Sequence, residues 1–322
     1  MNFSALAQQV LDGHPLTFEE GLAILQSPDD ELLDLLAAAY RVRRCHFGNR
    51  VDLNFLINAK SGMCSEDCGY CSQSRVSKAE IARYRLVTAE EILDGARIAA
   101  ERQAKTYCTV ISGRAPTDQE LDTLSATVPK VKGEYGLKIC FSVGLLSPEQ
   151  ATRLKKAGID RINHNLNTSE RFYPHVCSTH TYQERLATLR NVRQAGLEIC
   201  SGGIVGMGEE PADVVKLARQ LGELRVEAVP INFLLPIEGT PFAGQKHLNP
   251  RYCLKVLALF RLANPRCELR IAAGREVHLG PLQPLGLYAA NSIFVGDYLT
   301  TGGQPPAEDY EMIAALGFTI GR

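Results

Sequence analysis

Residues 137–163 read LKICFSVGLLSPEQATRLKKAGIDRIN. A β-rich apolar run over 137–143 is followed by Ser147-Pro148, where a capping hydroxyl and a fixed φ favour a helix start. The amphipathic segment after it closes at Gly158, a residue suited to a left-handed helix end, and a second apolar run covers 159–163. Strand, helix and strand in so short a span make a βαβ unit, so the two strands are expected to run parallel.

The same unit recurs along the chain. Candidate strands fall at 51–57, 106–112, 137–143, 159–163, 197–202, 227–234, 267–272 and 292–295, eight in all. Between them, Thr88 with Glu91 and Thr117 with Glu120 make capping boxes, Pro211 opens a helical run through Leu221, and Gly196 and Gly222 join Gly158 as expected left-handed helix ends. Eight such units predict an α/β fold of the (βα)₈ TIM-barrel type, which needs about 250 residues. An open doubly wound sheet is the alternative, because both folds bury parallel strands on two faces and give similar apolar runs. Ahead of the first strand, Thr17 with Glu20 forms a further capping box, and Asp29-Asp30 precedes a helical pattern from Leu32 to Tyr40 that closes near Gly48. The expected organisation is an N-terminal helical extension over 1–48 and one barrel domain over 49–322.

Bulk properties narrow the function. With 45% apolar residues in 322, the chain buries a substantial core. Lys plus Arg number 35 against 36 acidic residues, a net charge of -1, which leaves no electrostatic footprint for nucleic acid or an anionic membrane. No stretch reaches the ~18 apolar residues a membrane span needs, and residues 1–27 lack a signal-type apolar core, so a cytoplasmic location and small-molecule partners are expected. Ten cysteines in such a chain point to metal or redox chemistry rather than disulfides.

Directly after the first candidate strand, residues 59–71 read AKSGMCSEDCGYC, which sets Cys64, Cys68 and Cys71 in a C-x₃-C-x₂-C triplet. Three neighbouring thiolates call for a cation. Zinc would want a fourth ligand, usually from a second cysteine or histidine pair, and none follows at that spacing. A [4Fe–4S] cluster with one open iron fits three ligands better, and the end of a barrel's first strand lies on the face where barrel active sites form. Cys108, Cys140 and Cys200 fall within candidate strands two, three and five. Singly each reads as a buried apolar residue; together they can face one barrel interior. Arg270 on strand seven adds an inward charge that is costly unless an anion balances it.

The cysteine loop, with Tyr70 before its last cysteine, resembles that of the radical S-adenosylmethionine (SAM) superfamily. The segments 59–73, Tyr107-Cys108, RINHNLNTS at 161–169, THTYQER at 179–185, ICSGGIVGMGE at 199–209, VPINF at 229–233, RIAAGRE at 270–276 and ANSIF at 290–294 narrow the resemblance to the biotin synthase family, over about 37–317. It implies that Cys64, Cys68 and Cys71 hold a [4Fe–4S] cluster whose open iron takes SAM, with Tyr70 near the adenine. It further implies a [2Fe–2S] cluster on Cys108, Cys140, Cys200 and Arg270 that supplies sulfur to dethiobiotin. Asn165 and Asn167 are implied at the cofactor ribose, where the family commonly has Asp in place of Asn167. Asn165, Asn232 and Arg270 face the substrate, and the turn with Gly203, Gly206 and Gly208 meets SAM, although a plain tight turn is an equal reading of those glycines. A flavodoxin or ferredoxin as electron donor, iron–sulfur assembly proteins and a homodimer complete the implied partners.

Other readings stay open at this point. A hydrogenase-cofactor maturase or amino-acid mutase shares the cysteine loop but does not need the second cysteine set. A zinc or electron-carrier module would not cleave SAM. Arg275 reads as a surface or ion-pair residue, and Cys45, Cys177, Cys253 and Cys267 as buried or incidental thiols. Cys267, three residues from Arg270, has the wrong strand parity to join it.

Overall fold

The computed structural model describes residues 1–246 and 248–321. The strands are β1 (Arg50–Lys60), β2 (Thr106–Ile111), β3 (Lys138–Ser142), β4 (Arg161–Asn163), β5 (Glu198–Cys200), β6 (Gly203–Val205), β7 (Ala228–Phe233), β8 (Glu268–Ile271), β9 (Ser292–Phe294) and β10 (Thr319–Ile320). The helices are α1 (Phe3–Leu11), α2 (Phe18–Leu25), α3 (Leu32–Phe47), α4 (Ala89–Glu101), α5 (Asp118–Tyr135), α6 (Pro148–Lys156), α7 (Tyr182–Gln194), α8 (Pro211–Glu223), α9 (Pro250–Ala263), α10 (Arg275–Leu279), α11 (Gln283–Gly286) and α12 (Pro306–Ala315). All pairings between strands are parallel, and β9 hydrogen-bonds back to β1, which closes the sheet into a barrel and excludes the open alternative. The short β10 extends β1 at its start, pairing Arg50 with Thr319.

Local chemistry explains the regularity. Thr17, Thr88, Thr117, Ser147 and Thr181 each cap a helix in a reciprocal box with a Glu or Gln three residues on, so five helix starts are fixed by their own sequence. Gly158 and Gly196 take positive φ, as expected. Gly222 does not: it lies inside α8, and the reversal is made by Arg225 at φ 50. Its missing side chain serves close packing instead, since a Cβ there would stand 3.1 Å from the carbonyl oxygen of Ala263.

The expected fifth strand is shortened to β5, and a separate short strand, β6, follows where a glycine-rich turn was expected. Between them the amide of Asn167 donates to the Gly202 carbonyl at 3.0 Å, and the amide of Ile204 donates to the Asn167 carbonyl at 2.8 Å. The loop after β4 thus stitches itself into the gap. The N-terminal helices are part of the barrel's outer layer: α3 packs on α9, and α2 on α8 and α9. Sandwiched in this way, α9 buries every side chain from Cys253 to Leu262, Lys255 and Arg261 included. Lys255 donates to the Ser27 carbonyl and Asp29, while Arg261 satisfies the carbonyls of Cys267 and Ala289.

Candidate active site

At the C-terminal ends of the strands a cavity of about 370 Å³ runs down into the barrel. Its mouth is shaped by the cysteine loop. The side chain of Gln73 accepts from the Gly62 amide at 3.0 Å, the Arg75 amide donates to the Glu66 carbonyl at 2.9 Å, and Ser72 Oγ meets Thr300 Oγ1 at 2.8 Å. Cys64, Cys68 and Cys71 all line the cavity. Their donor atoms do not gather within the 4.8 Å that one small ion would require, whereas a cubane spreads its ligands over separate irons. The donor set therefore suits a cluster better than a zinc ion.

Beside the loop, Asn167 sits at φ 70, buried, and donates from Nδ2 to the Tyr70 hydroxyl at 2.9 Å. The two residues expected at the cofactor are thus joined to each other. Asn165 Oδ1 accepts from the Gly202 amide at 3.1 Å, and Asn232 is pinned at both ends, donating to the Gly203 carbonyl and accepting from the Ala273 amide, each at 3.2 Å. The glycine turn behaves otherwise. The amides of Gly206 and Met207 donate to the carboxylate of Glu209 at 2.7 and 2.8 Å, so the chain supplies its own anion there. Ile204, not Gly203, Gly206 or Gly208, reaches the cavity wall.

Deeper in the barrel, Cys108 and Cys140 are paired in register on β2 and β3, and Cys200 lies on β5. The three share an apolar pocket with Ala228, Ala272 and Phe294. The hydrogen bond of Cys140 to Cys108 and that of Cys200 to Cys140, together with burial, push the Cys140 and Cys200 thiols well up. Arg270, 1% exposed, lies 4.8 Å over the Phe294 ring and donates from Nη2 to Glu268 at 2.6 Å and from Nε to Ser292 at 3.3 Å. Its Nη1 makes no hydrogen bond to a described residue. Arg161, also buried, donates to the other oxygen of Glu268 at 2.7 Å. Burial would raise the Glu268 carboxyl, but the guanidiniums of Arg270 and Arg161 outweigh it and hold the group well below the usual carboxylate range. Arg161 also meets the partly exposed Glu198 at 2.9 Å, an anion it shares with Lys138, so the two buried guanidiniums around the largely buried Glu268 leave positive potential beside three thiols, the setting an anionic thiolate cluster needs.

Sequence reasoning passed over several of these groups. Arg161 and Glu268 were visible as charges inside apolar strand runs, the one signal that could have marked them. Arg185 is buried and donates to Tyr173, the Asn165 carbonyl and His180 Nε2 at 2.5, 2.6 and 2.8 Å. His180 therefore carries its proton on Nδ1, 2.5 Å from Glu66. His164 lines the cavity with a buried Nε2 that has no partner among the described residues, and burial, then the Arg185 guanidinium, hold its ring neutral. Arg275 is not at the surface: it pairs with buried Asp309 at 2.8 Å. Cys253 and Cys267 belong to the main apolar core, Cys45 is exposed, and Cys177 stands against Cys68.

A parallel barrel with a three-cysteine loop at the end of its first strand has the form of a radical SAM enzyme, and the Radical SAM superfamily profile matches residues 60–221. The Biotin and Thiamin Synthesis associated domain matches 230–319. Over 319 residues the chain is 57% identical to a biotin synthase of Geobacillus kaustophilus, covering 99% of this chain and 96% of that one. Against a biotin synthase of Bacillus subtilis it is 53% identical over 315 residues, covering 98% and 94%. The chain belongs to the biotin synthase family. Among solved structures, a methylornithine synthase superposes with a TM-score of 0.83 at 21% identity, covering 98% of this chain and 97% of that one. An FeFe-hydrogenase maturase from Carboxydothermus hydrogenoformans gives 0.82 at 21%, covering 99% and 79%. These two share the barrel fold, and the maturase alternative has no comparable sequence support.

Proposed function

We propose that this chain forms biotin by radical SAM-dependent insertion of sulfur into dethiobiotin, with its two cysteine sets in separate roles. Cys64, Cys68 and Cys71 hold a [4Fe–4S] cluster that binds SAM, and Cys108, Cys140, Cys200 and Arg270 hold a [2Fe–2S] cluster. When bound, these groups supply the carbon radical that abstracts hydrogen from unactivated carbons and the sulfur atom that bridges them. The observation that carries the reading is the apolar pocket in which three strand cysteines and an ion-paired arginine meet below the cysteine loop, a feature that radical generation alone does not require.

The protein's own work is placement and exclusion. Asn167 holds Tyr70 as one wall of the cofactor cavity, Asn165 braces the chain between β5 and β6, and Asn232 turns its amide to the cavity between two backbone anchors. Phe294, Ala272 and Leu56 keep the lower walls apolar, so a radical meets substrate rather than water. A flavodoxin or ferredoxin donor, iron–sulfur assembly proteins, a homodimer, a cytoplasmic setting and the division into 1–48 and 49–322 belong to the same proposal.

Anaerobic turnover with SAM, a reductant and dethiobiotin, read by mass detection of biotin and 5′-deoxyadenosine, tests it. Cys68→Ala should lose the [4Fe–4S] absorption and all SAM cleavage. Cys200→Ala should keep both and form no biotin. Arg270→Lys should retain partial turnover, and Arg270→Met less, because a cation beside the thiolates is what the site requires. Full biotin formation by Cys200→Ala protein lacking the second cluster would overturn the assignment.

A further inference from the structure

Among the described residues, one set of three potential metal-binding donors lies within 4.8 Å of one another: Cys68, Cys177 and His180. His180 is already committed, since Arg185 occupies Nε2 and Glu66 occupies Nδ1, so the trio is poorly prepared for a metal. The two sulfurs remain. Cys177 belongs to no motif that the proposed reaction uses, yet it is firmly placed. Its Sγ stands 3.2 Å from Asp67 Oδ1, 3.2 Å from His180 Nδ1 and 3.5 Å from Thr179 Oγ1. The backbones are tied as well, the Gly69 amide donating to the Val176 carbonyl at 2.9 Å, one residue from each cysteine. The two sulfurs stand within 4.8 Å of each other, against the ~2.05 Å of a disulfide, so a short approach closes the bond.

We infer that Cys177 is a built-in partner for Cys68, and that the pair closes to a disulfide when Cys68 is not holding iron. The inference rests on the reading of Cys68 as an iron ligand. Cys68 lines the cavity and Cys177 does not, so a small hydroperoxide meets Cys68 first. Its thiol is oxidised to a sulfenic acid, with one water released from hydrogen peroxide. The Cys177 sulfur then attacks the Cys68 sulfur, the S–S bond forms, and the sulfenic oxygen leaves as a second water with the Cys177 proton. Two thiols lose two electrons in all, and one peroxide gains them. The product withdraws Cys68 from the loop, which is then left with two thiols and unable to hold a cubane, and it halts oxidation short of the irreversible sulfinic stage. A dithiol reductant reverses it.

The test starts from cluster-loaded protein exposed to air and hydrogen peroxide, then acid-quenched, alkylated, digested with trypsin and read by mass spectrometry. The expected product joins peptide 61–75, which carries Cys64, Cys68 and Cys71, to peptide 172–185, which carries Cys177, with fragment ions placing the link on Cys68. After dithiothreitol, iron and sulfide, the wild type should regain its [4Fe–4S] absorption. A Cys177→Ser protein treated identically should regain at least about twofold less and carry sulfinic acid on Cys68. A link confined to peptide 61–75 with Cys177 alkylated, or equal recovery by both proteins, would overturn the inference. Retention of the cubane by Cys68→Ala would instead overturn the iron-ligand reading beneath it.

Discussion

Asn167 holds a left-handed backbone conformation that few side chains adopt without cost, and it does so while buried and bonded to Tyr70. Two roles are therefore superimposed, one for the backbone and one for the amide, and substitutions can part them. Asn167→Gly keeps the φ and loses the amide. Asn167→Ala loses the amide and adds about 1–2 kcal/mol of backbone strain. Both should weaken SAM binding by roughly 1–3 kcal/mol, by equilibrium dialysis, through an unpaired buried hydroxyl. Both should melt lower than the wild type, and the Ala variant lower than the Gly variant by the added strain. Asn167→Asp should bind SAM as the wild type does, because the Tyr70 hydroxyl can turn and donate to the carboxylate. Full affinity in the Gly variant would reduce Asn167 to a turn residue. The sequence showed this residue as a departure from a family pattern; its φ was not legible there, because nothing local in NLNTS announces a turn at its third position.

The gap between β5 and β6 shows what patterning can and cannot convey. Residues 197–202 read as strand throughout because apolar alternation does not register the space available to a backbone. At Gly202 that space is absent: a Cβ would stand 1.9 Å from the carbonyl oxygen of Pro230 on the neighbouring strand. Gly202→Ala should accordingly lower stability by about 3 kcal/mol or more, since backbone rather than a flexible side chain must give way. Gly133→Ala in α5, where a Cβ meets nothing within 4 Å, should raise it by up to ~1 kcal/mol. Thermal denaturation of the pair checks the contrast, and a wild-type melting temperature for Gly202→Ala would mean that β5 and β7 are not so tightly apposed. Helix starts were legible to the residue because a capping box is local chemistry; Gly222 misled because packing against α9, not chain reversal, selects glycine there.

Barrel closure follows from pairing between the first and last barrel strands, a relation between distant segments that no window of sequence contains. The same is true of the cavity's lower end. The cysteines and Arg270 could be listed in advance, but the Arg161–Glu268–Arg270 bridge exists only once β4 and β8 face each other across the barrel. With Asn54 and Ser292 that bridge fills the bottom of the chamber with largely buried, mutually bonded side chains, so the pocket of the strand cysteines opens toward the cysteine loop's end. Loading a non-cleavable SAM analogue first should slow the association of labelled dethiobiotin at least about tenfold, while dethiobiotin loaded first should leave analogue binding unhindered; equal rates in both orders would point to a second entrance. The barrel is a cul-de-sac, and traffic in it forms a queue. On the proposed placement of cofactor above substrate, whatever sits deepest arrives first and leaves last, and the product should stay behind the spent cofactor until the mouth has cleared.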